Sequence, residues 1–466
     1  MSESPSVGFT ITSDPDTTSV AAPAHRASER ETGGAFRLFL VSDLDPQGVV
    51  EDWTEGERSW DVDANTFADR MREHGPRLEV AVGDEGNRQA LAWTADALDA
   101  FTPAGIAQRV PTLASVAQAH AALEDAAGGK IDLEALRTRL QESGVAQADA
   151  LADAVVATSS SRKAPEDDGS LDALLGMISI DGDDSPSENP LVGSLVEAAS
   201  GSGPSIDRDS ARRLAEDLGG RLRGTIATLV EDDDVRRAEA AWRGLKMLIG
   251  RLDIRKGARL SVLAAPKSVL AEAVHYQILL PEYDHGTSRT PLAAILLDHE
   301  VVATSNDLNM LGDLAASGAS LQVPVVASAA PAFFGLEAPT DFSKLPPATA
   351  LLQQQPYARF QSLRQRPEAA QLALAVPPFL LRPAYGKDHV DKAFGLSGGE
   401  RLWGGAALLA GMAMAEAHKS RGWPMAGGGQ AVPDLEVRTT RMGAMPLAAS
   451  FSDGVLDDLA RAGILG

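Results

Sequence analysis

The stretch from Pro291 to Ser328, PLAAILLDHEVVATSNDLNMLGDLAASGASLQVPVVAS, decides the fold class. It opens on the continuous apolar run PLAAILLD, passes through NDLNMLGDLAAS with its apolar residues at helical spacing, and closes on a second apolar run, LQVPVVAS. Strands that are apolar without alternation are buried on both faces, and an intervening helix joins such strands in parallel. The beat repeats on either side. RLSVLAA (259–265) is followed by a helix predicted near Lys267 to Gln277, and a helix near Tyr357 to Arg366 leads into QLALAVP (371–377). A helix is expected over ERLWGGAALLAGMAMAEAHKSRG (400–422), and a helical region runs from Asp207 to about Arg251. The pattern implies an α/β domain over 208–466 with a largely parallel, doubly wound sheet covered on both faces.

The front of the chain reads as a small α/β unit, 34–125. FRLFLVSDLD (36–45) is a buried strand, and DANTFADRMREHG (63–75) is a short helix with Asp63 or Asn65 as its cap. RLEVAVGDEGNRQALAW (77–93) gives two strands about a turn at Asp84 to Asn87. Helices follow, with Pro103 and Pro111 in first turns, where proline is tolerated. Residues 126–207 read as a helical, partly disordered connector: two helices over 131–157, a flexible joint SSSRKAPEDDGS, then SLDALLGMISI with Leu171, Leu174, Leu175 and Ile178 at helical spacing. Residues 1–33 are rich in Ser, Thr, Pro and Asp and are expected to be mostly disordered. Within them Val7, Phe9 and Ile11 alternate with small polar residues. That is the period of a strand able to join a sheet edge, or an accident of a polar tail.

Acidic residues number 65 against 42 basic ones, a formal charge of −23, which disfavours nucleic acid and anionic membrane as partners. With 44% hydrophobic residues the 466-residue chain can bury a substantial core. The lack of cysteine excludes disulfides and sulfur-ligated zinc. No leader is read at Met1 and no apolar run is long enough to span a bilayer, so a cytoplasmic protein is expected.

Motifs that suggest chemistry fare poorly. FGLSGGE (394–400) fits G-x-S-x-G around Ser397, but no apolar strand precedes it, and a glycine-rich loop before a helix carrying Trp403 is the plainer reading. Its LSGGE also imitates an ATPase signature loop, without the phosphate-binding glycine-lysine loop such enzymes need. Asp181, Asp183 and Ser185 begin like a calcium loop that then has Pro186 and Val192 where glycine and glutamate belong. Asp298, His299 and Glu300 follow a strand and suit either a metal or a polar strand end. Gly427 to Gln430 lacks a following helix to cradle phosphate. No catalytic residue, metal or cofactor is expected, and the chain reads as a non-enzyme.

AEAAWRGLKMLIGRLD (238–253) poses a further question, because a glycine within a helix costs about 1 kcal/mol relative to alanine. Gly244 is therefore expected to face a closely packed neighbour. Trp242-Arg243-Gly244 resembles the tryptophan-arginine-glycine helix end of the large subunit of type VI secretion contractile sheaths. SLQVPVVASAAPAFFGLE resembles the family's alanine-rich strand before a phenylalanine-glycine-leucine turn, here Phe334, Gly335 and Leu336. PYARFQSLRQRPEAAQLALAVPPFLLRPAYG is similar to its F-L-L-R-x-x-Y-G segment, here Phe379, Leu380, Leu381, Arg382, Tyr385 and Gly386. LWGGAALLAGMAMAEAHKSRGW resembles the family helix that begins at Trp403 and Gly404 and ends at Gly422 and Trp423. FRLFLVSDLD, VDANTFADRMREHGPRLEV and LDAFTPAGIAQRVPTLASV resemble the small sheath subunit.

The chain thus looks like a natural fusion of the two subunits, with the large-subunit part short at its C-terminus, where the family continues into sheath-core strands and an interlocking arm. The resemblance implies a structural subunit that polymerises with itself in a helical array around an inner-tube protein, meets a baseplate and drives ejection by contraction. A non-polymerising sheath-fold scaffold or adaptor is the alternative. It also implies that Leu171, Leu174, Leu175 and Ile178 belong to the helix a AAA+ unfoldase grips, unless that helix packs on its own domain. Val7, Phe9 and Ile11 correspond to a strand exchanged with a neighbour.

Overall fold

The computed structural model describes residues 7–9, 34–48, 50, 52–83, 88–156, 205–285, 290–386, 395–396, 398–424, 430–441 and 443–466. The strands are β1 (Val7–Phe9), β2 (Phe36–Ser42), β3 (Trp60–Asp61), β4 (Arg77–Val82), β5 (Gln89–Thr94), β6 (Ala258–Ala264), β7 (Leu292–Val301) and β8 (Val325–Ala329). After them come β9 (Leu372–Ala375), β10 (Phe379–Arg382), β11 (Leu402–Gly404), β12 (Gln430–Val432), β13 (Arg438–Thr440), β14 (Gly443–Met445) and β15 (Ile464–Leu465). The longer helices are α1 (Phe67–His74), α2 (Pro111–Ala127), α3 (Leu133–Ser143), α4 (Arg208–Glu231), α5 (Asp233–Ile249), α6 (Ser305–Leu321), α7 (Ala406–Arg421) and α8 (Asp453–Arg461).

Among the described residues one seven-stranded sheet dominates, in the order β15-β9-β8-β7-β2-β6-β3. Every neighbouring pair is parallel except β3 with β6. The mixed α/β character and largely parallel sheet follow from the unbroken apolar runs.

The place of β2 is the main surprise. The sequence puts FRLFLVS at the head of a small front unit, yet it lies near the middle of the large sheet, between β6 and β7. All seven of its residues are buried. Phe36, Leu38 and Leu40 enter the core on one face, Phe39 and Val41 the core on the other. A strand with apolar residues on both faces has no solvent side to offer, so only a central position satisfies it. The front unit (34–125) and the rear unit (208–466) therefore share a sheet. The β4–β5 hairpin, by contrast, alternates buried and exposed residues and forms its own two-stranded sheet.

One face of the sheet carries α5, α7 and the hairpin with α1; the other carries α6, α8 and the short helices between Leu270 and Arg364. A third cluster joins the helices of the connector to those on either side of it. Leu123 on α2 and Leu136 and Leu140 on α3 pack against Ala211, Leu214 and Leu218 at the start of α4. The helix predicted near Lys267 to Gln277 is a series of short turns, with a π turn at His275–Leu279 between helices Leu270–Val274 and Leu280–His285. The extra residue of a π turn re-aims a side chain. Here the buried Gln277 donates to the carbonyls of Trp53 (2.8 Å) and Gly56 (3.0 Å) and accepts from the Arg58 N–H (2.9 Å).

Candidate functional site

The residues singled out by the sequence meet around α5. Trp242 is fully buried, donates its indole N–H to the Leu44 carbonyl at 3.0 Å, and lies 6.2 Å from the Trp60 ring. It thereby ties α5 to the segment that follows β2. A Cβ at position 244 would stand 2.5 Å from Leu408 Cδ1 on α7, closer than real contacts allow. Leu408 is itself fully buried, so Gly244 is the notch into which α7 packs.

One turn earlier on α5, Glu239 is 1% exposed and accepts from Arg243 Nε at 2.7 Å. It also accepts from Arg382 of β10, through Nε at 3.0 Å and Nη2 at 3.3 Å. Arg382 is 2% exposed, and its guanidinium lies 4.1 Å over the Tyr385 ring. Two-pronged arginine–carboxylate pairing fixes orientation as well as charge. The tryptophan-arginine-glycine helix and the F-L-L-R-x-x-Y-G segment are thus bolted together through Glu239, a residue that sequence reading passed over. Its signal was an acid on the apolar stripe of a helix, four residues before an arginine.

β10 pairs antiparallel with β11, Phe379 opposite Gly404 and Leu380 opposite Trp403. This corrects the expectation of a helix from Glu400: Leu402–Gly404 is strand, and α7 begins at Ala406. The reason is local. A Cβ at Gly404 would stand 2.7 Å from the Phe379 ring, so the aromatic presses onto bare backbone there. Gly386 has no such neighbour, and Trp423, just past the end of α7, is 60% exposed. Ser397 and the helix carrying Leu171, Leu174, Leu175 and Ile178 lie outside the described residues, as does Ile11. Val7–Phe9 is a strand, and it pairs antiparallel with β12 of the same chain.

Asp298, His299 and Glu300 belong to β7, where its register against β8 shifts. Asp298 accepts from the Ser42 hydroxyl at 2.9 Å and from the Gly405 N–H, while Ser328 accepts the Ala407 N–H at 3.1 Å. Gly405 has no side chain to cap α7, so Asp298 and Ser328 cap it from the sheet. Burial pushes the Asp298 carboxyl up to about 8 and the His299 imidazole down to about 4, and His299 donates from Nε2 to the Ala265 carbonyl at 2.8 Å. Since a carbonyl only accepts, Nε2 carries the proton. Among the described residues no group of three His, Asp or Glu stands close enough to hold a metal ion.

These two shifts give a signed pH dependence. A raised carboxyl stabilises the fold below its unfolded value and loses that contribution as pH climbs to about 8; a lowered histidine stabilises above its unfolded value of 6.5 and loses it as pH falls to about 4. Between pH 4 and 6.5 the two slopes cancel. Of the two, only Asp298 acts above 6.5, and its contribution to stability is expected to drop by up to about 2 kcal/mol by pH 8. Asp298→Asn should abolish that drop and unmask a rise between pH 4 and 6.5. Urea unfolding at half-unit pH steps reads both, and an unchanged profile in the variant would refute the assignment.

Two family models cover most of this architecture. The type VI secretion system VipA model matches residues 23–155, and the EvpB (VipB) tail sheath N-terminal domain matches residues 213–442. The chain thus carries, one after the other, matches to two type VI secretion sheath families. The first match carries β2 and β3, the second β6 to β9, so small- and large-subunit stretches build one sheet. The chain is also similar to the type VI secretion system sheath protein TssC1 of Pseudomonas aeruginosa, 23% identical over 226 residues, 44% of this chain. It spans 45% of that relative's length. The sheath families are structural rather than enzymatic, and among the described residues no helix is long and apolar enough to cross a membrane.

Proposed function

We propose that this chain is a structural subunit of a type VI secretion contractile sheath. Copies assemble in the cytoplasm as a helical polymer around an inner-tube protein, engage a baseplate at one end, and eject the tube by contracting. The observation that supports this most is β2: the small-subunit stretch supplies a strand deep inside the large-subunit sheet. The two sheath components thus form one folding unit. A sheath protomer must pass stress between its parts without coming apart, and a shared buried sheet, bolted through Glu239 and Arg382, is suited to that load.

Polymers need contacts between copies, and β1 is a candidate for one. Its three residue pairs with β12 are all intrachain, the kind of short pairing that can be traded for the same pairing with a neighbour. That same closure supports the second reading, a sheath-fold scaffold whose exchange strand stays at home and which does not polymerise. The segment around Leu174 is proposed as the grip of a AAA+ unfoldase that dismantles spent polymers; Leu174→Asp should then bind the unfoldase more weakly in a pull-down.

Electron microscopy of the purified chain, alone and with its inner-tube protein, separates the two readings. Hollow tubes are expected. Deleting residues 1–15 should abolish them while leaving the melting temperature of the monomer within about 2 °C, since among the described residues a three-residue strand is lost. Discrete monomers or small oligomers in both samples would favour the scaffold.

A further inference from the structure

A cleft of about 850 Å³ opens at the amino ends of β2 and β6, at the opposite end of the strands from Asp298. Four arginines reach it from four elements: Arg37 from β2, Arg259 from β6, Arg70 from α1, and Arg58 from the loop before β3. In a chain with 65 acidic residues against 42 basic ones, such a gathering is unusual. Two of the four are satisfied by carboxylates. Arg37 pairs with Glu282, and Arg70 Nη1 lies 2.8 Å from Glu73. Three acids, Glu57, Asp61 and Glu73, also line the cleft, and Asp61 accepts from the Ser261 hydroxyl at 2.6 Å.

Arg58 and Arg259 form no ion pair among the described residues. Each is instead held by backbone. Arg259 Nη1 donates to the carbonyls of Ala258 (3.0 Å) and Ile254 (3.3 Å), and Arg58 Nη2 donates to the Asp52 carbonyl (3.0 Å) while its guanidinium lies over the Trp53 ring. Carbonyls orient a guanidinium without neutralising it, and the carboxylates of Asp52 and Asp63 act on Arg58 and Arg259 only through space, without an ion pair. Arg37, 6% exposed at the base of the cleft, has an Nε–H with no partner among the described residues.

The walls are rigid. Gln277 pins the loop carrying Arg58 through three hydrogen bonds, and the Trp60 and His74 rings stack at 4.8 Å with planes 3° apart. Donors fixed in advance lose little entropy when a ligand arrives.

We propose that this cleft is an oxyanion site, in which Arg58 and Arg259 hold a carboxylate or phosphate group above Arg37. Two sources carry that chemistry: an Asp or Glu side chain of a second copy of this chain, or a free phosphate. The first rests on the self-assembly reading; the second does not.

The test titrates the full-length chain with inorganic phosphate by calorimetry at constant ionic strength, and follows self-association by analytical ultracentrifugation with and without phosphate. The comparison protein is Arg58→Ala combined with Arg259→Ala. Both side chains are exposed, so the fold should be retained, and circular dichroism checks it. The double variant is expected to weaken phosphate binding at least tenfold. If the natural occupant is a neighbour's carboxylate, phosphate and the double variant both reduce self-association. If it is a free anion, association is unmoved. Equal phosphate affinity in both proteins, or no phosphate binding together with unchanged association, would overturn the proposal. The titration decides even for a chain that stays monomeric, which keeps this result separate from the polymer reading.

Discussion

Glu239→Ala is expected to lower the stability of the fold by about 3–5 kcal/mol, read as a shift in the urea unfolding midpoint. Among the described residues Glu239 is the sole acid paired with Arg382, which is 2% exposed, and it also pairs with the partly exposed Arg243. Removing it leaves Arg382, among the described residues, with the Pro383 carbonyl and the Tyr385 face, neither of which carries a charge. An uncompensated buried cation is far more damaging than the intact pair is stabilising, because desolvation has already been suffered. The same reasoning predicts a partial rescue. Glu239→Met with Arg382→Leu removes both charges, fills similar volume, and should recover more than half of the loss. A loss under 1 kcal/mol for Glu239→Ala, or no rescue in the pair, would mean that Arg382 finds water or another acceptor.

The contrast between what the sequence revealed and what it hid follows from the range of the interactions. The alternation of apolar runs and amphipathic helices from Arg259 to Pro377 is local, and the parallel sheet was legible from it. The position of β2 was not. Burial on both faces was visible in FRLFLVS, but which strands flank it depends on contacts more than 200 residues away, and no period in the sequence reports them. Chain order suggested a separate front unit, since consecutive elements usually pack together.

At the candidate site the residue types were legible but not their partners. Trp242 and Arg382 stood out, whereas Glu239 looked like one more acid in an acidic chain. Leu402–Gly404 misled for a physical reason: its helix-compatible residues are held as strand by β10 and by the Phe379 ring pressing on Gly404. Tertiary contacts overrode local preference there. Asp298 was noticed as a polar strand end, and its task of capping α7 from the sheet depends on an N-terminus more than 100 residues later.

Gly244→Leu tests the other half of the α5 junction. In an exposed helix, replacing glycine with a good helix former would add about 1 kcal/mol of stability. At this position the new Cβ alone would stand 2.5 Å from Leu408 Cδ1, and the remaining atoms of leucine enter a core already filled by Trp242 and Leu245. Overpacking of this kind typically costs 1–3 kcal/mol and shifts backbone when the neighbour cannot turn away. Leu408 lies on α7, whose N-terminus is held to Asp298 and Ser328, so the helix has little freedom to retreat. The net loss is therefore expected to be about 2 kcal/mol or more by urea unfolding. Leu408→Ala alone should also destabilise, by opening a cavity, yet Gly244→Ala combined with Leu408→Ala should be more stable than the sum of the two single effects by about 1 kcal/mol or more, because each change relieves the other. Purely additive effects would place the reason for Gly244 somewhere other than the contact between these two helices.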